Sequence, residues 1–261
     1  MLNVFKRLFQ KKHPAHEAGL LQNVDDLERR NNDKTIDKNC FYDALTEIVF
    51  SRSLSENATC VDVGCHQGAI LDKMMAYAGR GKFYAFEPLP HLFEGLKERY
   101  QHHKNVTLYN TALSDTVGKS SFNYVITNPG YSGLIKRRYD RPEEQDTEIT
   151  VETDLLDNLL KDDSVDLIKV DVEGAEEKVL LGAKQIIKRD KPLIIFEHGL
   201  GGADCYGTTP EGIFDLLVDE CGLTIMLLND YLKKRSPLTR TGFCDQYYNG
   251  INYYFLACAA Q

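Results

Sequence analysis

Tryptophan is absent from the 261-residue chain, and no two of its cysteines stand as C-x-x-C. The seven cysteines, at positions 40, 60, 65, 205, 221, 244 and 258, are odd in number and scattered, which does not describe a disulfide framework and leaves them as small buried apolar side chains. Long hydrophobic runs are missing too. Segments such as 255–260 fall far below the roughly 18–20 residues that a membrane span needs. The N-terminus has neither the apolar core nor the small-residue cleavage site of a signal peptide, so a cytoplasmic protein is expected and the N-x-T sequons at Asn57 and Asn105 lose their meaning. Positive charge is in deficit. Against 39 Asp and Glu there are 31 Lys and Arg, and the net charge of -8 repels phosphate backbones, so no nucleic-acid partner is expected. Internal repeats and low-complexity tracts are also lacking.

What is present describes a soluble globular chain: 43% hydrophobic and 27% charged residues exclude a disordered or fibrous class. The length suits one large domain with a small extension. Residues 1–40 are polar, and dense apolar strands begin only near Thr59. We therefore expect a helical N-terminal extension over 1–57 and one domain over 58–261. In the extension, Leu2, Phe5 and Phe9, flanked by Val4 and Leu8, lie opposite Lys6, Arg7, Lys11 and Lys12, a short basic amphipathic helix. About three turns bind a membrane surface weakly, so docking on the protein itself or on a second subunit outweighs contact with anionic lipid. A second helix, 40–51, presents Phe41, Leu45, Ile48 and Val49 on one face and is expected beside the first strand.

From Thr59 onward β-branched runs alternate with amphipathic stretches, the pattern of a parallel sheet covered on both faces. Strands are expected at 60–63, 82–86, 106–109, 165–170, 193–197, 223–228 and 251–257, and helices near 69–78, 91–102, 155–160, 175–187 and 210–220. The fold class is α/β: a seven-stranded, mostly parallel, Rossmann-like sheet with helices on both faces and an antiparallel final strand. An insertion near 120–153, with short strands at 121–125 and 148–152, breaks the alternation at a place suited to a substrate.

Val61, Asp62, Val63 and Gly64 form a buried strand that runs through Cys65, His66 and Gln67 to Gly68 and a helix. In an open α/β sheet this first turn lies at the switch point where ligands bind. Glycine lets backbone approach a ligand, and the helix N-terminus offers free N–H groups. Glu87, followed by Pro88, ends the next strand, where a carboxylate can accept hydrogen bonds from both ribose hydroxyls. Ser114 or Asp115, after the third strand, is placed to read an adenine amine; a turn or helix cap competes for that Asp. The G-x-x-x-G spacing is not the G-x-G-x-x-G that brings backbone against a pyrophosphate, and it suits S-adenosylmethionine better.

These residues resemble the FkbM-type family of S-adenosylmethionine-dependent methyltransferases, of the class I Rossmann-like fold. The resemblance runs over roughly 58–225 through Val61-Asp62-Val63-Gly64, Phe86-Glu87-Pro88, Ala112-Leu113-Ser114-Asp115, Leu167-Ile168-Lys169-Val170-Asp171-Val172-Glu173-Gly174-Ala175-Glu176 and Ile195-Phe196-Glu197-His198. It implies methyl transfer to oxygen, commonly on a sugar or polyketide hydroxyl, with Asp62, Gly64, Glu87 and Asp115 on the cofactor; His66, Gly68, Pro88, Ser114 and Asp171 complete the expected cofactor set. Methyl transfer to a hydroxyl benefits from a general base or a metal. Asp171, Glu173 and His198, at the ends of two adjacent strands, are the catalytic candidates, although capping roles would also account for Asp171 and Glu173. Asp171, Glu197 and His198 also resemble the divalent-metal arrangement of some class I O-methyltransferases and would favour Mg²⁺. The glycines at 199, 201 and 202 and the segment 128–133 are candidate lids, with Tyr131, Tyr206, Tyr247 and Tyr248 as loop aromatics able to stack on a sugar. The expected function is an S-adenosylmethionine-dependent O-methyltransferase acting on a glycan or other small hydroxylated metabolite; an NAD-dependent oxidoreductase and a silent nucleoside-binding module are the alternatives.

Overall fold

The computed structural model describes residues 14–139, 141 and 143–260. The basic amphipathic stretch at the N-terminus lies outside them. The described residues begin with two helices, α1 (Pro14–Asn32) and α2 (Lys38–Ser53). Asp37 caps α2 by accepting hydrogen bonds from the backbone N–H groups of Asn39 and Cys40, which satisfies donors that a helix start leaves free. The face of α2 carrying Phe41, Tyr42, Leu45, Val49 and Phe50 is buried, together with Val24 and Leu27 of α1. These residues share one apolar cluster with Cys60 and Leu167 of the sheet, so α2 packs beside the first strand as expected and α1 joins the same core.

The sheet follows with β1 (Thr59–Val63), α3 (Ala69–Tyr77), β2 (Lys82–Phe86), α4 (Pro90–Tyr100) and β3 (Val106–Tyr109). After an excursion the chain returns through α5 (Leu156–Leu159), β7 (Leu167–Val170), α6 (Glu176–Gly182), α7 (Lys184–Asp190), β8 (Leu193–Glu197), α8 (Pro210–Phe214), β9 (Leu223–Met226), α9 (Leu228–Leu232), α10 (Arg240–Tyr248) and β10 (Tyr254–Ala259). Strand order is β3-β2-β1-β7-β8-β10-β9, and β10 runs antiparallel to both neighbours. The fold is therefore the α/β, mostly parallel, seven-stranded sheet expected from the sequence. Alternation along each strand divides the core. Val61, Ile168, Ile194 and Phe196 face Val179, Leu180 and Phe243, while Cys60, Leu167, Ile195 and Leu256 face Leu45, Phe50, Leu71 and Met74.

The excursion is a small sheet of its own. Ala112–Leu113 (β4), Gly118–Val125 (β5) and Asp146–Asp154 (β6) pair in the order β4-β6-β5. Three other readings change. The helix expected over 175–187 breaks at Ala183, and Gly182 just before it packs so close to the chain that a β-carbon there would lie 2.0 Å from the Ser114 carbonyl oxygen. The helix expected over 210–220 widens after Phe214 into a π turn. The polar loop expected between the last two strands contains α9 and α10, and β9 stops at Met226. Among the described residues no helix is long and apolar enough to cross a membrane.

Leu45 is fully buried, so Leu45→Ala leaves a cavity between α2 and the sheet. It is expected to lower the unfolding free energy by about 2–5 kcal/mol in urea titration. A loss below about 1 kcal/mol would show that α2 lies outside the cooperative fold.

Candidate active site

Two turns at the carboxyl ends of neighbouring strands build the site. At the end of β1, Gly64 has φ +77° and its N–H bonds the Phe86 carbonyl at 3.0 Å. A β-carbon on Gly64 would stand 2.0 Å from the Asp171 carbonyl oxygen, so only glycine lets the ends of β1 and β7 meet. His66 also adopts a left-handed conformation, φ +50°, and donates its backbone N–H to Glu87 Oε2 at 2.9 Å. Leu89 donates its N–H to Glu87 Oε1, also at 2.9 Å. Both oxygens of this buried carboxylate are thus held by backbone. Burial pushes the Glu87 carboxyl up to about 7, against the opposing pull of those two N–H donors.

The second turn follows β7. Glu176 Oε1 accepts from the backbone N–H groups of Val172 and Gly174, each at 3.1 Å, and this stitches the loop that carries Asp171 and Glu173. Burial pushes the Glu176 carboxyl up to about 7. Glu173 is left-handed, φ +59°, a conformation costly for a residue with a side chain and typical of sites where geometry is imposed. Asp171 Oδ2 accepts from Tyr254 Oη at 2.5 Å and from Lys169 Nζ at 3.1 Å. The Lys169 charge and these hydrogen bonds outweigh burial and hold Asp171 below the usual carboxylate range. Burial and the Asp171 charge drive Glu197 well above it.

Between the turns lies a cavity of about 240 Å³. Gly64, His66, Glu87, Pro88, Asp171 and Glu173 line it, with Phe86, Leu89, Leu113 and Phe122 as apolar wall. The insertion supplies Pro129, Gly130, Ser132 and Leu134. Arg137 fastens that segment down, forming an ion pair with Glu173 while its guanidinium lies 4.8 Å from the Tyr131 ring centre. Tyr206 Oη accepts the Ile135 N–H at 2.9 Å, so the residues after β8 hold the insertion as well.

Several expected site residues are elsewhere. Asp62 is buried below the cavity within β1, opposite Lys169 in the strand register, and burial raises its carboxyl to about 7. Gly68 packs under Tyr100, whose hydroxyl donates to the Gly68 carbonyl. Ser114 bonds Asp115, and Asp115 turns to Lys178 Nζ at 3.2 Å; Thr111, Ala112 and Leu113 line the cavity instead. His198 is the largest departure. It follows Glu197 in an extended chain and therefore faces the opposite side of the sheet, fully buried against Tyr247 at 4.6 Å and Phe243 at 6.0 Å between ring centres. The expected Mg²⁺ set of Asp171, Glu197 and His198 thus does not assemble, and among the described residues no group of three or more His, Cys, Asp or Glu is placed to hold a metal. Of the loop tyrosines, Tyr247 covers His198, and Tyr248 Oη donates to Glu211 Oε2 at 2.8 Å.

A family model for the methyltransferase FkbM domain matches residues 62–222, which takes in both turns and the insertion. The chain belongs to the FkbM methyltransferase family. A curated relative, the 2-O-methyltransferase NoeI of Sinorhizobium fredii (strain NBRC 101917 / NGR234), is 27% identical over 145 residues, 50% of this chain. The match spans 59% of that relative's length. Among solved structures, a methyltransferase FkbM from Methylobacillus flagellatus KT gives a TM-score of 0.49 at 16% identity, over 78% of this chain and 44% of that one. A SAM-dependent methyltransferase from Aquifex aeolicus gives 0.41 at 15% identity, over 82% and 87%.

In this FkbM domain the residues that sequence reasoning passed over are Lys169, Glu176, Arg137 and Tyr254. A lysine inside a buried parallel strand is the one signal that could have been read, since such strands are near-continuously apolar. His198 supplies a test of the corrected placement. Burial pushes its imidazole down to about 4 from an ordinary 6.5. Between those pH values the unfolded chain binds a proton that the folded chain refuses, so His198 makes stability fall as pH drops through that window. His198→Leu is expected to flatten the acid side of the stability profile measured by urea unfolding; an unchanged slope would contradict the buried, neutral ring.

Proposed function

We propose that the chain transfers a methyl group from S-adenosylmethionine to a hydroxyl oxygen of a glycan or another small hydroxylated metabolite. The observation that carries this reading is Glu87: a buried carboxylate at the end of β2, oriented by two backbone N–H groups, on the wall of the cavity. Each of its oxygens retains a lone pair for one of two vicinal ribose hydroxyls. The same cavity is lined by Asp171, a carboxylate held below the usual range and suited to an ammonium group. Vicinal hydroxyls and an ammonium are what these two carboxylates fit, and Leu89, Ala112 and Leu113 offer apolar lining for a base.

S-adenosylmethionine supplies a methyl carbon activated on a sulfonium, so the reaction needs an aligned nucleophile and a proton acceptor. On this chain Glu173 lines the cavity beside the insertion and is the group we assign to take the hydroxyl proton, with Arg137 setting its orientation. Phe122, Pro129 and Leu134 give the cavity apolar lining beside the insertion. Similarity to a 2-O-methyltransferase supports oxygen as the acceptor atom.

Calorimetry with S-adenosylhomocysteine tests the cofactor assignment. Saturable binding is expected, NAD is expected to give none, and Glu87→Ala should weaken S-adenosylhomocysteine by about 1.5–3 kcal/mol, roughly 10- to 100-fold. Unchanged affinity in the folded variant would remove Glu87 from the site.

A further inference from the structure

We propose that Lys169, enclosed in the middle of the sheet, is a positioning residue that holds the Asp171 carboxylate for the amino-acid half of the cofactor. The inference rests on the functional reading above and extends it to a side chain that does not line the cavity.

β7 is a central strand in which every residue is buried, and Lys169 is only 1% exposed. An ammonium taken out of water costs several kcal/mol unless charged partners surround it, so an apolar residue would be the stabilising choice at this position. The partners are specific. Lys169 Nζ lies 3.1 Å from Asp171 Oδ2 and 4.7 Å from the centre of the Tyr254 ring. Tyr254 Oη donates to that same Oδ2 at 2.5 Å. Asp62 stands opposite Lys169 on β1, and Glu197, paired with Tyr254 in the register of β8 and β10, flanks Asp171 from the other side.

Lys169 is therefore shared by three carboxylates, Asp62, Asp171 and Glu197, the last also under the charge of Arg137, and two donors reach the same oxygen of Asp171, which lines the cavity. Burial and mutual repulsion do not allow all three acids their charge, and Lys169 decides in favour of Asp171. Removing the ammonium favours protonation of Asp171 and leaves its orientation to Tyr254 and Glu197. A neutral Asp171 binds a ligand ammonium less well, while the ribose end at Glu87 is untouched.

The test is calorimetry on the intact chain with two probes, S-adenosylhomocysteine and 5′-methylthioadenosine, which lacks the amino-acid portion. Lys169→Met is expected to weaken S-adenosylhomocysteine about tenfold or more. It should leave methylthioadenosine within about twofold, and in an Asp171→Asn background it should add no more than about twofold. Equal losses for both probes, or full additivity with Asp171→Asn, would overturn the proposal in favour of a merely structural lysine. If Lys169→Met does not fold, Tyr254→Phe removes the other donor and is expected to show the same split with a smaller loss; equal losses there overturn it as well. A wild-type chain that binds neither probe contradicts the cofactor reading itself, whereas binding of both without a split contradicts only the role of Lys169.

Discussion

The approach of β1 to β7 at their carboxyl ends is the constraint on which the site depends. Gly64 sits against the Asp171 carbonyl with no room for a β-carbon, and the Asp171 N–H bonds the Val63 carbonyl at 3.1 Å. That contact sets the turn after β1 beside the turn after β7. The first turn delivers the His66 N–H to Glu87, and the second presents Asp171 and Glu173. A side chain at Gly64 would part the two strands and with them the two ends of the cavity.

Around this contact the chain gathers carboxylates and supplies few cations. Glu87 and Glu176 are held by backbone N–H groups, Asp171 by Lys169 and Tyr254, and Glu173 by Arg137. A buried carboxylate with fixed donors is pre-oriented, and a ligand bringing hydroxyls and positive charge loses little in organising it. The insertion joins the same economy of charge, since Arg137 both pairs with a cavity carboxylate and secures the segment that lines the cavity.

Much of the architecture was legible because strand and helix periodicities differ: all seven strands of the main sheet, and the antiparallel pairing of the last two segments, follow from β-branched runs and the alternation of elements. That Glu87 would stand at the ligand cavity was legible from its place at the end of the second strand, at the carboxyl edge of the sheet. The departures have separate physical causes. Adjacent residues of a strand face opposite sides, so Glu197 and His198, neighbours in sequence, end on different faces of the sheet. Asp115 and Lys178 are 63 positions apart, and nothing local reveals that α6 brings them together. Val24 and Leu27 lie in a polar stretch whose burial depends on α2 and the sheet being there to receive them.

The most direct measurement of the central claim is a crystal structure of the chain grown with S-adenosylhomocysteine. The account requires both ribose hydroxyls within hydrogen-bond distance of the Glu87 carboxylate and the amino group of the homocysteine on Asp171. A ligand seated in the cavity with its ribose away from Glu87, or seated outside the cavity, would contradict it.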